Sequence, residues 1–180
     1  MRWWHVAAVV LVAAAASSSR SSSSPASSPR RVLLVGDSLA VGLGPSARAD
    51  GAAVSAKGGT VSRQWITRGW FAAALEASRP ELVLVCLGTN DAAGQIDAGT
   101  FAAQVAQLEQ LARAKGARVV WLFPPPMPYS LEQIRAGLSR AEADVLEPPA
   151  SLERAPDRIH LTPAAYAAWW RAVAPAAFGR

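Results

Sequence analysis

Three runs of valine and leucine most constrain what this chain can become: RVLLVG at 31–36, ELVLVCL at 81–87 and ARVVWLF at 117–123. Near-continuous apolar runs of this kind are expected of strands covered on both faces, as in a parallel sheet flanked by helices. Between and beyond them the apolar spacing turns helical, at 39–48, 64–78, 100–115, 131–143 and 163–174. Within 100–115, Phe101, Val105, Leu108 and Leu111 recur at the interval that makes one core-facing stripe. A weaker strand is predicted at 52–56 and a short fifth one at 144–146. Strands alternating with helices imply parallel pairing through right-handed crossovers. The expected fold is an α/β, three-layer α/β/α sandwich with a mostly parallel sheet of about five strands. In such sheets ligands bind outside the carboxyl ends of the strands. The residues that matter are therefore Ser38, Gly58–Gly59, Asn90 and the run after Phe123.

The 180 residues hold one folded domain, and the N-terminal end trims it. Residues 1–16 place Arg2 before an apolar stretch from Val6 to Ala16 that ends in small residues, the pattern of a secretory signal peptide. Its 11 apolar residues fall short of the ~18–20 that span a bilayer. No stable membrane insertion is expected once the signal is cleaved, and the protein is expected outside the cytoplasm. Residues 17–30 are serine-rich with two prolines and read as a flexible linker, leaving 31–180 as the domain. The single cysteine, Cys86, allows no internal disulfide and reads as a small buried hydrophobe. The net charge of +5 is carried by scattered arginines without interleaved aromatics, so no nucleic-acid groove is read.

His5 leaves with the signal, which makes His160 the one imidazole of the mature chain. It stands in APDRIHLTPAAY, just before a helix with Thr162 as N-cap and Pro163 as first residue. Asp157, three residues upstream, can reach the imidazole Nδ1–H and leave Nε2 free to accept a proton. One histidine and one cysteine supply no zinc cluster, and no cofactor is implied. Asn90, in CLGTND after the third strand, offers an amide donor for a developing oxyanion, or is an ordinary turn residue. Gly58 and Gly59 can bring backbone N–H groups close to a substrate oxygen. Each signal is modest alone, but all fall at successive strand ends.

Taken together, GDSLA with Ser38, KGGT, GTND with Asn90 and DRIHLTP with Asp157 and His160 resemble the SGNH (GDSL-type) hydrolase family, over roughly 31–170. The resemblance implies the flavodoxin-like sandwich already expected and a serine esterase. Ser38 would be the nucleophile, His160 the base and Asp157 its orienting acid. The oxyanion hole would comprise the Ser38 N–H, Gly59 in preference to Gly58, and the Asn90 amide. Asp37 and Asp91 are read as structural hydrogen-bonders. An α/β-hydrolase is disfavoured, because the serine follows the first strand and the acid lies three residues from the histidine. An inactive glycan-binding domain is the alternative of another class.

For the substrate, FPPPMPYS after the fourth strand predicts a stiff wall in which Pro126, Met127 and Tyr129 face the cleft. Trp65 either meets an acyl chain or sugar there or, at helical spacing with Trp70, belongs to the core. Short loops point to small acyl groups, such as O-acetyl on a glycan. A lipase, a lysophospholipase or an acyltransferase is the alternative within the family.

Overall fold

The computed structural model describes residues 30–178; the stretches read as a signal peptide (1–16) and, nearly all of it, as a linker (17–30) lie outside the described residues. Five strands, β1 (Val32–Gly36), β2 (Ala53–Ala56), β3 (Leu82–Cys86), β4 (Arg118–Leu122) and β5 (Val145–Leu146), form one sheet in the order β2-β1-β3-β4-β5. Every pairing is parallel, with Leu34 opposite Val54 on one side and Leu84 on the other. Among the described residues six helices fill the connections, α1 (Ser38–Ala49), α2 (Ser62–Thr67), α3 (Trp70–Ser78), α4 (Thr89–Ala93), α5 (Ala98–Arg113) and α6 (Glu132–Arg140), and α7 (Pro163–Phe178) follows β5.

The three apolar runs behave as their composition requires. Every residue of β1 and β3 is buried, because alternate side chains enter two separate cores. Leu34, Leu84 and Leu122 pack with Leu39 and Leu43 of α1 and Trp169 and Val173 of α7. Leu33, Val35, Val83 and Val85 pack on the opposite face with Phe71 of α3, Phe101, Val105 and Leu108 of α5, and Ile134 of α6. These two faces make the three layers, and truncating a fully buried leucine such as Leu34 to alanine should cost ~2–5 kcal/mol.

Two elements differ from the sequence reading. The helix expected over 64–78 is two helices, broken at Gly69, whose φ of 66° is left-handed. Asn90 lies not in a loop but in the short helix α4, which follows β3 directly. Both differences have a local cause: one glycine turns the chain inside an apolar pattern, and five residues are too few to show a period.

Candidate active site

The end of β1 is built around a close approach. A side chain on Gly36 would lie 2.1 Å from the Cys86 carbonyl oxygen, so glycine is required where the chain leaves the sheet. The next residue, Asp37, donates its N–H to that same carbonyl at 3.0 Å. Its side-chain Oδ1 accepts the Leu39 N–H at 2.9 Å, which makes Asp37 the N-cap of α1. Ser38 is thereby fixed as the first residue of a helix of 12 residues, half-buried at the carboxyl edge of the sheet. The orphan N–H groups of a helix N-terminus favour negative charge at that point.

A second carboxylate holds the loop after β2. Both Asp91 oxygens accept the Ser62 N–H at 3.1 Å, and Oδ2 also accepts the Ser62 hydroxyl at 3.1 Å. Thr60 donates its hydroxyl to the Lys57 carbonyl at 2.8 Å and accepts the Trp65 indole N–H at 3.0 Å. The Asn90 amide donates to the Thr60 carbonyl at 3.0 Å and faces Asp37 Oδ2 at 3.4 Å. The glycines at 58 and 59 are thus suspended between fixed neighbours. Gly58 is the nearer to the serine: a Cβ placed on it would lie 3.8 Å from Ser38 Cβ, whereas one on Gly59 would meet nothing within 4 Å.

His160 and Asp157 form a unit of their own. Asp157 Oδ2 lies 2.6 Å from His160 Nδ1, while Oδ1 accepts the Ile159 and His160 N–H groups at 2.9 Å each. The hydrogen bond to the imidazole, aided by those two N–H groups, holds the Asp157 carboxyl down to about 2. The loop is closed by the Ala155 N–H on the His160 carbonyl at 2.9 Å and by an antiparallel bridge between Arg154 and Leu161. Thr162 caps α7 through its hydroxyl, which accepts the Ala165 N–H at 3.3 Å.

Asp37 feels both halves electrostatically. Burial pushes its carboxyl up to about 7; the Leu39 N–H opposes this, the Asp91 charge adds to it, and His160 lies near enough to lower it. Asp91 is raised chiefly by burial as well.

Beside this constellation runs a groove of about 460 Å³. Pro126, Met127 and Tyr129 line it together with Phe123, Leu131 and Pro148. Arg135 also lines it, stacks 3.8 Å from the centre of the Phe123 ring and pairs with Glu147 through bonds of 2.6 and 3.0 Å. Burial and the Asp37 charge raise the Tyr129 hydroxyl, and Arg154 opposes them.

Trp65 is corrected by the structure: it is fully buried against the Val35 face of the sheet and cannot meet a substrate. Its indole instead secures Thr60, a residue the sequence reading passed over even though it belongs to KGGT. Arg154 carries no motif signal, and the fold brings its guanidinium to the Ile159 and Pro126 carbonyls. Among the described residues no group of three or more His, Cys, Asp or Glu could hold a metal ion. No helix among them is long and apolar enough to cross a membrane.

The model of the GDSL-like lipase/acylhydrolase family matches residues 34–168. The chain belongs to that family. It is accordingly a hydrolase of the SGNH type, with the α/β fold that this family shares. The fold matches the crystal structure of TesA with a TM-score of 0.63 at 22% identity, covering 81% of this chain and 97% of that one. A GDSL-like lipase from Bacteroides thetaiotaomicron matches with a TM-score of 0.62 at 18% identity, over 79% and 86% of the two chains. The psychrotrophic esterase EstA of a Pseudoalteromonas species, in a structure inhibited by monoethylphosphonate, matches with a TM-score of 0.63 at 16% identity, over 81% and 94%. No curated protein sequence matches the chain.

Proposed function

We propose that this chain is an exported serine esterase that cleaves carboxylic esters of small acyl groups, O-acetyl groups on a glycan among them. The observation that carries the reading is the 2.6 Å bond between Asp157 and His160 Nδ1, in a chain that also sets Ser38 at the N-terminus of α1 on the carboxyl edge of the sheet. With Nδ1 protonated and held by Asp157, Nε2 is left to accept a proton. Ser38 Oγ attacks the ester carbonyl as its proton passes to Nε2. The tetrahedral oxyanion is met by the Ser38 N–H, a Gly58 or Gly59 N–H and the Asn90 amide N–H that otherwise makes the long 3.4 Å contact with Asp37. Collapse expels the alcohol, which takes the proton from His160, and leaves the acyl group on Ser38. Water then repeats the sequence, its proton going to His160, and releases the acid. Export rests on the signal-like residues 1–16.

A second reading is favoured by one observation. The groove of about 460 Å³ is apolar along Phe123, Met127 and Leu131 and exceeds what an acetyl group fills. It suits a medium-length acyl chain, as in a lipase or lysophospholipase. Initial rates on p-nitrophenyl esters from acetate to octanoate, for the purified chain and for Ser38→Ala, test both readings. Activity lost by at least about 10³-fold in Ser38→Ala establishes the serine esterase. Rates highest on acetate support the small-acyl reading, and a steady rise toward octanoate replaces it with the second. A wild-type rate unchanged by the mutation overturns the esterase.

A further inference from the structure

The groove wall has few means of holding itself in place. Residues 124–130 read PPPMPYS, and the four prolines among them carry no N–H. Among the described residues no backbone-to-backbone hydrogen bond involves positions 124–130. Their tether is a side chain from elsewhere in the sequence. Arg154 Nη2 donates to the Pro126 carbonyl, and Nη1 passes 3.9 Å from Met127 Sδ. The same Nη1 donates to the Ile159 carbonyl at 2.5 Å. Ile159 immediately precedes His160, and its own N–H is bonded to Asp157.

One guanidinium therefore spans from the wall that lines the groove to the loop that carries the Asp157–His160 pair. Arginine suits the task because its planar fork presents several fixed donors, whereas a lysine ends in a single nitrogen on a flexible stem. Arg154 is itself anchored by its bridge to Leu161, at the base of the same loop. We propose that Arg154 is a positioning residue that sets the spacing between His160 and the groove wall, and with it the enzyme's discrimination among acyl groups. The inference rests on the serine-esterase reading. It assigns Arg154 no contact with the reacting atoms: it acts through the Ile159 carbonyl on one side and the Pro126 carbonyl on the other.

The test compares full-length wild type, Arg154→Met and Arg154→Lys on p-nitrophenyl acetate and butyrate. A fluorophosphonate titrates active sites, so that rates are expressed per competent molecule. Arg154→Met removes both bonds but keeps most of the apolar stem. It is expected to lower kcat about tenfold, the scale on which small displacements of catalytic groups act. It should also shift the butyrate-to-acetate ratio of kcat/KM at least about threefold, because the wall moves relative to the imidazole. Arg154→Lys keeps the charge and should not restore the ratio. A merely structural role would reduce the number of titrated sites and leave both readouts where they were. Per-site rates and ratios within about twofold of wild type in both variants overturn the proposal. Full restoration by lysine also overturns it, in favour of charge alone. If the methionine variant does not fold, the lysine variant decides by the same ratio. Failure of the esterase reading shows separately, as no ester cleavage by wild type or no effect of Ser38→Ala.

Discussion

Asp37 and Asp157 flank the same proposed reaction centre, yet they are held in opposite ways. Asp37 is wholly buried at the sheet edge, and burial pushes its carboxyl up to about 7. Asp157 keeps 49% of its side chain exposed, and its bond to His160 holds it down to about 2. The first is tied to the fold: it caps α1 and stands where β1 meets β3 through the Cys86 carbonyl. The second is tied to its own turn, bonding only residues two and three positions ahead. The comparison separates a sheet edge whose polar groups hold the architecture together from a surface loop that can be altered without disturbing it. Mutations on the two sides should therefore divide into losses of rate and losses of stability.

Asp157→Asn is expected to have the largest effect. Asparagine retains an oxygen for the Ile159 and His160 N–H groups, but its amide would donate toward Nδ1 and hold the imidazole in the wrong tautomer. The expected loss in kcat is about 10³–10⁴-fold. The unfolding midpoint should stay near wild type, because the side chain is half exposed and the turn is preserved. A fall in stability as large as that of a core truncation would erase the distinction between the two regions.

Asn90→Ala comes next, with an expected loss of about 10²–10³-fold in kcat and a smaller change in KM. Part of the loss would come from release of the Thr60 carbonyl, which the amide holds at 3.0 Å. Thr60→Val sharpens the assignment. It removes the hydroxyl that bonds Lys57 and Trp65 but leaves that carbonyl in place, so it should cost stability more than rate. Asp91→Ala should act on stability alone, by ~1–3 kcal/mol, since it leaves the buried N–H and hydroxyl of Ser62 without their acceptor. Urea unfolding and per-site rates on the same preparations separate the two kinds of loss.

How much of this was visible in the sequence follows the same division. The strands β1, β3 and β4 were legible to within a residue or two at each end, because burial on both faces demands uninterrupted Val and Leu. The Asp157–His160 contact was legible because it is local, three residues apart in a turn. The buried polar links were not. Asp91 to Ser62 spans 29 positions and Asn90 to Thr60 spans 30, and no periodicity marks a hydrogen bond across such distances. Trp65 was open to two readings for a related reason. Its spacing placed it on a helix, but only the tertiary packing shows that the helix turns this side chain inward. Arg154 was silent because a single arginine on a chain with 18 basic residues has no pattern to stand out from.

The smallest effect expected is a pH slope, and it tests the buried side of the comparison directly. The Asp37 carboxyl rises from its ordinary 3.8 to about 7 in the folded chain, so the native state holds this proton more tightly than the unfolded state does. Stability from this group is then fully present below about pH 4 and is lost as pH rises toward 7. Asp37→Asn keeps an oxygen to accept the Leu39 N–H and cannot ionise. Relative to wild type, it should therefore gain stability progressively from about pH 4 to about pH 7, with a slope on the order of 1 kcal/mol per pH unit, and level off above. Asp157 contributes the opposite slope, but only below about pH 4, where its carboxylate protonates, so the two windows do not overlap. Urea unfolding of both proteins across this range measures the difference, which includes the coupling of Asp37 to Asp91 and to His160. A mutant-to-wild-type difference that stays flat with pH would mean that Asp37 is ionised in the fold as readily as in the open chain. The sheet edge would then tolerate charge as easily as the exposed loop does.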